Sequence, residues 1–244
     1  MEFAEAEDEI EEMYDLGWSD GLPLVPPTPE RVLRMLRGTN RSSNETVAKA
    51  PPNLVDLTIE KIAINAVMAG CKPEYLPIVI SALEAVCTDE FNMHGLLATT
   101  MPVGPVMFIN GPIRHEVGMN SGMNLLGQGN RANSTIGRAV QLTIRNVGGG
   151  RPGEVDRATQ GSPSKIGLCF AEDEEGSPWN SYSQDQGFSP SQSTVTVFPG
   201  EGPRLITDQL SRCLLYTSPS PRDQRGSRLA GGSGKKKMGG GGGG

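Results

Sequence analysis

Two places in this chain combine residue types and spacing that could do chemistry: a lone thiol at a helix junction and a glycine-bordered helix start. Cys71 follows Gly70 and precedes Lys72-Pro73, between two segments of strong helical periodicity. A thiol there can feel the positive end of the second helix and the neighbouring ammonium, which would draw its pKa toward thiolate and equip it as a nucleophile or redox group. Free cysteine also packs as a small hydrophobe, so the same residue has a structural reading. The second place is Gly127-Gln128-Gly129-Asn130-Arg131-Ala132, which leads into a helix capped by Asn133. Open N–H groups at a helix start attract anions, and the Arg131 fork suits phosphate or carboxylate. Gly127, Gly129, Asn130, Arg131 and Asn133 are therefore the expected anion holders; the other reading is a capped structural loop with Arg131 solvated. The glycines fit G-x-G-x-x-A, but no convincing strand precedes them and no acidic residue stands about twenty positions on, which argues against a dinucleotide site.

Histidines number two, His94 and His115. Either could act as general acid or base near neutral pH, with His94 favoured because Asp89, Glu90, Thr99 and Thr100 flank it. Neither has a second ligand at H-x-H or H-x-x-x-H spacing, so no metal site is expected from them. Glu172 to Glu175 follow an apolar segment, where carboxylates could hold a hard cation or a cationic group, or form a solvated run. A metal-dependent lyase or hydrolase using Glu172, Asp173 and His115 is accordingly a third possibility.

These residues need elements to position them. Glu5 to Leu16 reads as a short acidic helix, and residues 17–27 as a turn and extended arm. Thr28 offers an N-cap with Pro29 in the first turn, for a helix ending near Gly38. Asn40 to Asn53 reads as a polar connection. Leu57 or Thr58 to Ala69 places Ile59, Ile62, Ala63, Ala66 and Val67 on one face and ends at Gly70, and Pro73 to Val86 repeats the pattern. Gly104 to Asn110 is a short apolar run suited to a buried strand, Ser134 to Val147 a helix, and Lys165 to Ala171 and Ser193 to Phe198 two further strands. The Gly- and Asn-rich stretch from 110 to 153 forms the expected floor of a small-molecule site. The fold class is therefore α/β or α+β, with a helical N-terminal half and a short-stranded sheet with one long helix in the second half.

Composition bounds the partners. The 244 residues carry a net charge of −6. Residues 213–244 open with CLLYTSPSPRD, which looks like translated sequencing adapter, and end in Lys235 to Lys237 and six glycines; they read as an artefactual tail. Without them, and their six basic and one acidic residues, the net charge is −11, which excludes nucleic acid or an anionic membrane surface as the expected partner. No segment approaches the length of a membrane span, the N-terminus lacks the pattern of a signal peptide, and of the four cysteines the three outside the tail, Cys71, Cys87 and Cys169, are dispersed, which suggests a reducing cytoplasm. The expected organisation is an acidic helix and arm at 1–27, one truncated α/β domain at 28–212, and the tail.

Trp18-Ser19-Asp20-Gly21-Leu22-Pro23, Ala66 to Tyr75, Gly129 to Asn133 and Ala171 to Trp179 together resemble an uncharacterised bacterial family loosely associated with thiol or selenol oxidoreductases named for a Sec-Gly-Ser-Cys motif. The resemblance spans nearly all of residues 10–203 and implies a single domain with little assigned activity. This chain contains no Cys-Gly-Ser-Cys, so the resemblance supplies no catalytic residue and no cofactor. The leading expectation is thiol-dependent, redox or nucleophilic chemistry on a small anionic molecule, with Cys71 as the thiol, His94 as acid or base and Arg131 with the helix start as anion holder. Its alternative is a non-catalytic subunit or binding module of an oxidoreductase complex, meeting a redox partner protein or a second copy of itself.

Overall fold

The computed structural model describes residues 8–203, of which residues 8–202 belong to one compact unit, Met1–Gly202. The tail expected at 213–244 and the boundary near 212 lie outside the described residues. Among the described residues, eight α-helices and two small sheets make the fold mixed α/β, helical in its first half and with its longest helix in the second.

Local signals set most of the helices. Asp8 accepts hydrogen bonds from the backbone of Ile10 and Glu11 to start α1 (Glu9–Asp15). Thr28 caps α2 (Pro29–Leu36) through the Arg31 N–H, and Thr58 caps α3 (Ile59–Ala69) through that of Lys61. Gly70, at φ 89°, closes α3 in the left-handed conformation that glycine adopts without strain. A 3-10 turn at Pro73–Tyr75 then feeds α4 (Leu76–Val86), and Asn92 caps the short α5 (Met93–Ala98). Met13 and Leu24 belong to the same core as α3 and α4, so residues 8–27 are part of the domain and not a separate arm.

The connection expected at 40–53 is instead half of a hairpin. β1 (Thr46–Ala50) pairs antiparallel with β2 (Val55–Thr58). Its Lys49–Asp56 pair, at 2.7 Å, lies in solvent, Ala50 and Leu57 are buried in the core, and Val47 packs partly buried against it. A ribbon that buries so little carries a weak apolar signal, and tertiary docking decides it.

The main sheet has the order β4–β3–β5, with β3 (Gly104–Asn110) central, β4 (Leu168–Ala171) parallel to it and β5 (Thr194–Gly200) antiparallel. Met107 and Ile109 of β3 and Cys169 of β4 enter the helical core. Phe108 points to the other face, where its ring lies 6.2 Å from those of Phe170 and Phe198 and 5.3 Å from Tyr182 of α8 (Tyr182–Asp185). The chain passes from β3 through the single turn α6 (Ile113–Glu116) and a long loop into α7 (Arg131–Thr143), which packs on α3 and β4. Gly137 permits that approach, because a Cβ there would stand 2.9 Å from the Leu168 nitrogen.

α7 begins three residues before the expected Ser134. Asn130, not Asn133, is its cap: the Asn130 Oδ1 accepts from the Asn133 N–H at 2.8 Å. The helix then widens into a π turn at Ile144–Gly148, the kind of local irregularity that often marks a place where side chains are re-aimed.

Candidate functional site

The C-terminus of α3 and the start of α7 are joined at Cys71. After Gly70 the chain doubles back so that the Cys71 N–H donates to the Ala66 carbonyl at 2.9 Å. The Cys71 thiol then donates to the Thr135 carbonyl of α7 at 3.3 Å, and Arg131 Nε donates to the Gly70 carbonyl at 2.9 Å. Beside this junction lies a recess of about 260 Å³, whose lining includes Cys71, Val25 and Met35 together with four cations, Arg31, Arg34, Lys72 and Arg131. No carboxylate lines it. Arg131 and Lys72 come from the places flagged by sequence; Arg31 and Arg34 come from successive turns of α2, whose basic residues carried no motif.

Cys71 is therefore beside the anticipated helix start, but its surroundings shift the thiol pKa up rather than down. It is 6% exposed, and burial pushes its thiol up to about 12; the hydrogen bond to Thr135 and the charges of Arg131 and Arg138 oppose that shift and lose to it. Cys87 and Cys169 are also raised by burial, Cys87 to about 11. At pH 7.5 the Cys71 thiolate population is expected to be about a thousandfold below that of an exposed cysteine. Peptide-level mass spectrometry after iodoacetamide treatment of the native chain should accordingly find Cys71 almost unmodified until denaturant is added. Rapid alkylation with an inflection near pH 7 would restore the reactive reading.

The structure separates the other expected residues. His94 is exposed on α5 and lines none of the cavities described here, so it is not brought to the thiol. Gly127 and Gly129 are exposed in the loop before α7 and do not reach the recess; the Gly127 N–H is engaged by the Asn124 carbonyl. Asn130 and Asn133 are structural. Beyond its capping bond, Asn130 donates to the Gly118 carbonyl, and the buried Asn133 accepts from the Asn120 N–H and donates to the carbonyls of Asn120 and Leu125. These bonds tie the 118–125 loop to the helix, and of the five expected residues only Arg131 lines the recess.

The acidic run is organised too, but not around a metal. Among the described residues no group of three His, Cys, Asp or Glu is placed to hold an ion. Glu174 and Glu175 instead ion-pair with Arg114, which is 5% exposed, and Glu175 also meets His115 Nε2 at 3.2 Å. Asn110 Nδ2 donates to Glu172 at 2.6 Å and to Glu174 at 3.0 Å. Asp173 caps its own turn through the Gly176 N–H. Nearby, Asp156 pairs with Lys165 at 3.0 Å.

Two larger cavities had no sequence signal. One of about 830 Å³ opens between α2, α3 and the π turn, and one of about 580 Å³ lies between α5, the end of α7 and residues 150–166. No helix among the described residues is long and apolar enough to cross a membrane. No family model, no curated protein and no solved structure matches the chain.

Proposed function

We propose that the protein binds a small anionic molecule in the recess beside Cys71. The carrying observation is the convergence of Arg31, Arg34, Lys72 and Arg131 on one small concavity without a carboxylate. Four like charges held together repel one another, and an anion relieves that repulsion while accepting charge-assisted hydrogen bonds. Arg131 is oriented for this, since its Nε is engaged by Gly70 and the terminal nitrogens of its fork remain. Cys71 serves as an uncharged wall of the recess. Thiol-dependent chemistry on the bound anion, which the family resemblance suggests, would need a thiolate that burial disfavours, so binding is the reading the geometry supports best.

Calorimetric titration of inorganic phosphate into the full chain should give saturable binding that weakens as ionic strength rises. Arg34→Ala tests it cleanly, because Arg34 is exposed and caps nothing. We expect about a tenfold loss of affinity with no change in melting temperature. Unaltered phosphate binding in both Arg34→Ala and Arg131→Ala would sink the proposal.

A further inference from the structure

The cavity of about 830 Å³ between α2, α3 and the π turn falls in the size range of small-molecule sites. Val32, Leu33 and Leu36 of α2 form one wall, and Ile64 and Met68 of α3 with Val147 of the π turn form the opposite one. α2 thus stands between two concavities, turning Arg31, Arg34 and Met35 to the cationic recess and Val32, Leu33 and Leu36 to this one.

At one end the cavity becomes polar, and its polar groups divide into engaged and free. Asn65, 3% exposed, donates to the Lys61 carbonyl at 2.9 Å and accepts from Asn146 Nδ2 at 3.1 Å. Asn146 also donates to the Trp18 carbonyl at 3.0 Å and accepts from Arg145 at 3.2 Å. Both amides are therefore satisfied within the protein. Arg151 is not: it is half-buried, it lines the cavity, and among the described residues its guanidinium makes no ion pair or hydrogen bond. Its neighbour is another cation, Arg145, which burial and then the like charge of Arg151 hold below the ordinary guanidinium range. Other half-buried or buried cations are engaged: Arg114 pairs with Glu174 and Glu175, Arg138 with Asp20 and Lys165 with Asp156, while Arg31, Lys61 and Arg145, though without an ion pair, each donate a hydrogen bond to a backbone carbonyl. Glu60 and Lys61, on the same lining, do not pair with each other or with Arg151.

A partly desolvated guanidinium without a counter-charge, at the end of an apolar trough, is complementary to a molecule with an anionic head and an apolar body. We infer that this cavity binds an amphiphilic anion, its carboxylate or phosphate head on Arg151 and its hydrocarbon along Val32, Leu36, Ile64 and Met68. The site is distinct from the recess at Cys71 and stands whether or not that recess binds phosphate.

The test is calorimetry on the full chain with decanoate, decyl phosphate and, as the uncharged control, decanol. Decanoate or decyl phosphate should bind one to one and about tenfold or more tighter than decanol. Whichever of the two binds more tightly identifies the head group. Arg151→Gln should abolish the preference over decanol, and Leu33→Glu, at an exposed position on the cavity mouth, should weaken the anions further than decanol. Arg34→Ala should leave decanoate binding unchanged, which separates this result from the fate of the recess. Equal binding of anions and decanol, or Arg151→Gln behaving as the parent, would overturn the inference. So would a concentration-dependent dimer that Leu33→Glu dissociates and decanoate does not, since a second copy of the chain would then be the occupant.

Discussion

Replacing Arg138 with Met is expected to lower the free energy of unfolding at pH 7 by about 3–5 kcal/mol, among the largest effects of any single substitution in this chain. Arg138 reaches from α7 to the loop after α1, gripping the Asp20 carboxylate with Nε and Nη2, both at 2.7 Å, and donating further to the carbonyls of Leu22 and Pro23 at 3.1 Å. The two side chains are only 14% and 12% exposed. Met would fill the space but leave a nearly dry carboxylate and two carbonyls without their donor, which costs more than the pair itself contributes. The pair also carries a pH signature. Burial alone would raise the Asp20 pKa, but the hydrogen bond and charge of Arg138 outweigh it and hold the group below its ordinary 3.8. A carboxyl depressed on folding contributes stability that is complete above its unfolded pKa and is lost as pH falls through the folded one. Urea unfolding from pH 5 down to pH 2 should therefore show a decline below about pH 4 that is shallower in the double variant Asp20→Asn/Arg138→Met. A single-variant loss under about 1 kcal/mol would show that the pair is effectively solvated.

That loop illustrates what sequence reading could and could not reach. Trp18-Ser19-Asp20-Gly21 reads as a turn, and it is one: Ser19 accepts from the Gly21 N–H and donates to the Leu22 carbonyl. Its partner lies 118 residues away, and nothing local marks Asp20 as buried. The same division holds elsewhere. β3 was legible because a continuous apolar run ends in Asn110-Gly111-Pro112, and α3 because Thr58 and Gly70 sit at its two ends. The start of α7 was ambiguous because Asn130 and Asn133 stand one turn apart and each can cap; the choice depends on the 118–125 loop, which occupies the Asn133 side chain. Of the candidate site, Arg131 and the position of Cys71 beside α7 could be anticipated from glycine placement. The direction of the thiol shift could not, since it depends on how completely α3 and α7 close over the sulfur. Arg31 and Arg34 could not either, because their membership of the recess follows from the way α2 lies across α3.

The second large effect is expected at the carboxyl ends of β3 and β4, where Arg114→Met should cost about 3–5 kcal/mol. Arg114 engages its whole guanidinium: Nε donates to the Gly111 carbonyl at 3.0 Å, Nη1 to the Glu172 carbonyl at 3.1 Å, and the fork meets Glu175 at 3.2 and 3.0 Å while Nη2 also pairs with Glu174. One side chain thereby joins β3, α6 and the acidic loop after β4. The individual acids are not equal partners. Glu174, 16% exposed, also receives the Gly111 N–H and the Asn110 amide, and would be left as a poorly solvated charge. Glu175 is far more open: its carboxyl is held at about 2, first by Arg114 and then by His115, but water can take over when either is lost. Glu175→Gln should accordingly leave thermal unfolding almost unchanged, and Arg114→Lys should recover less than half of what Arg114→Met loses, since an ammonium cannot reproduce the fork. If Arg114→Met melted like Glu175→Gln, the cluster would be a solvated run of charge and these strand ends would be open to a ligand after all. A loss confined to Arg114 and Glu174 would place the cost in the desolvated half of the network, where the fold needs the cation as a brace between strands.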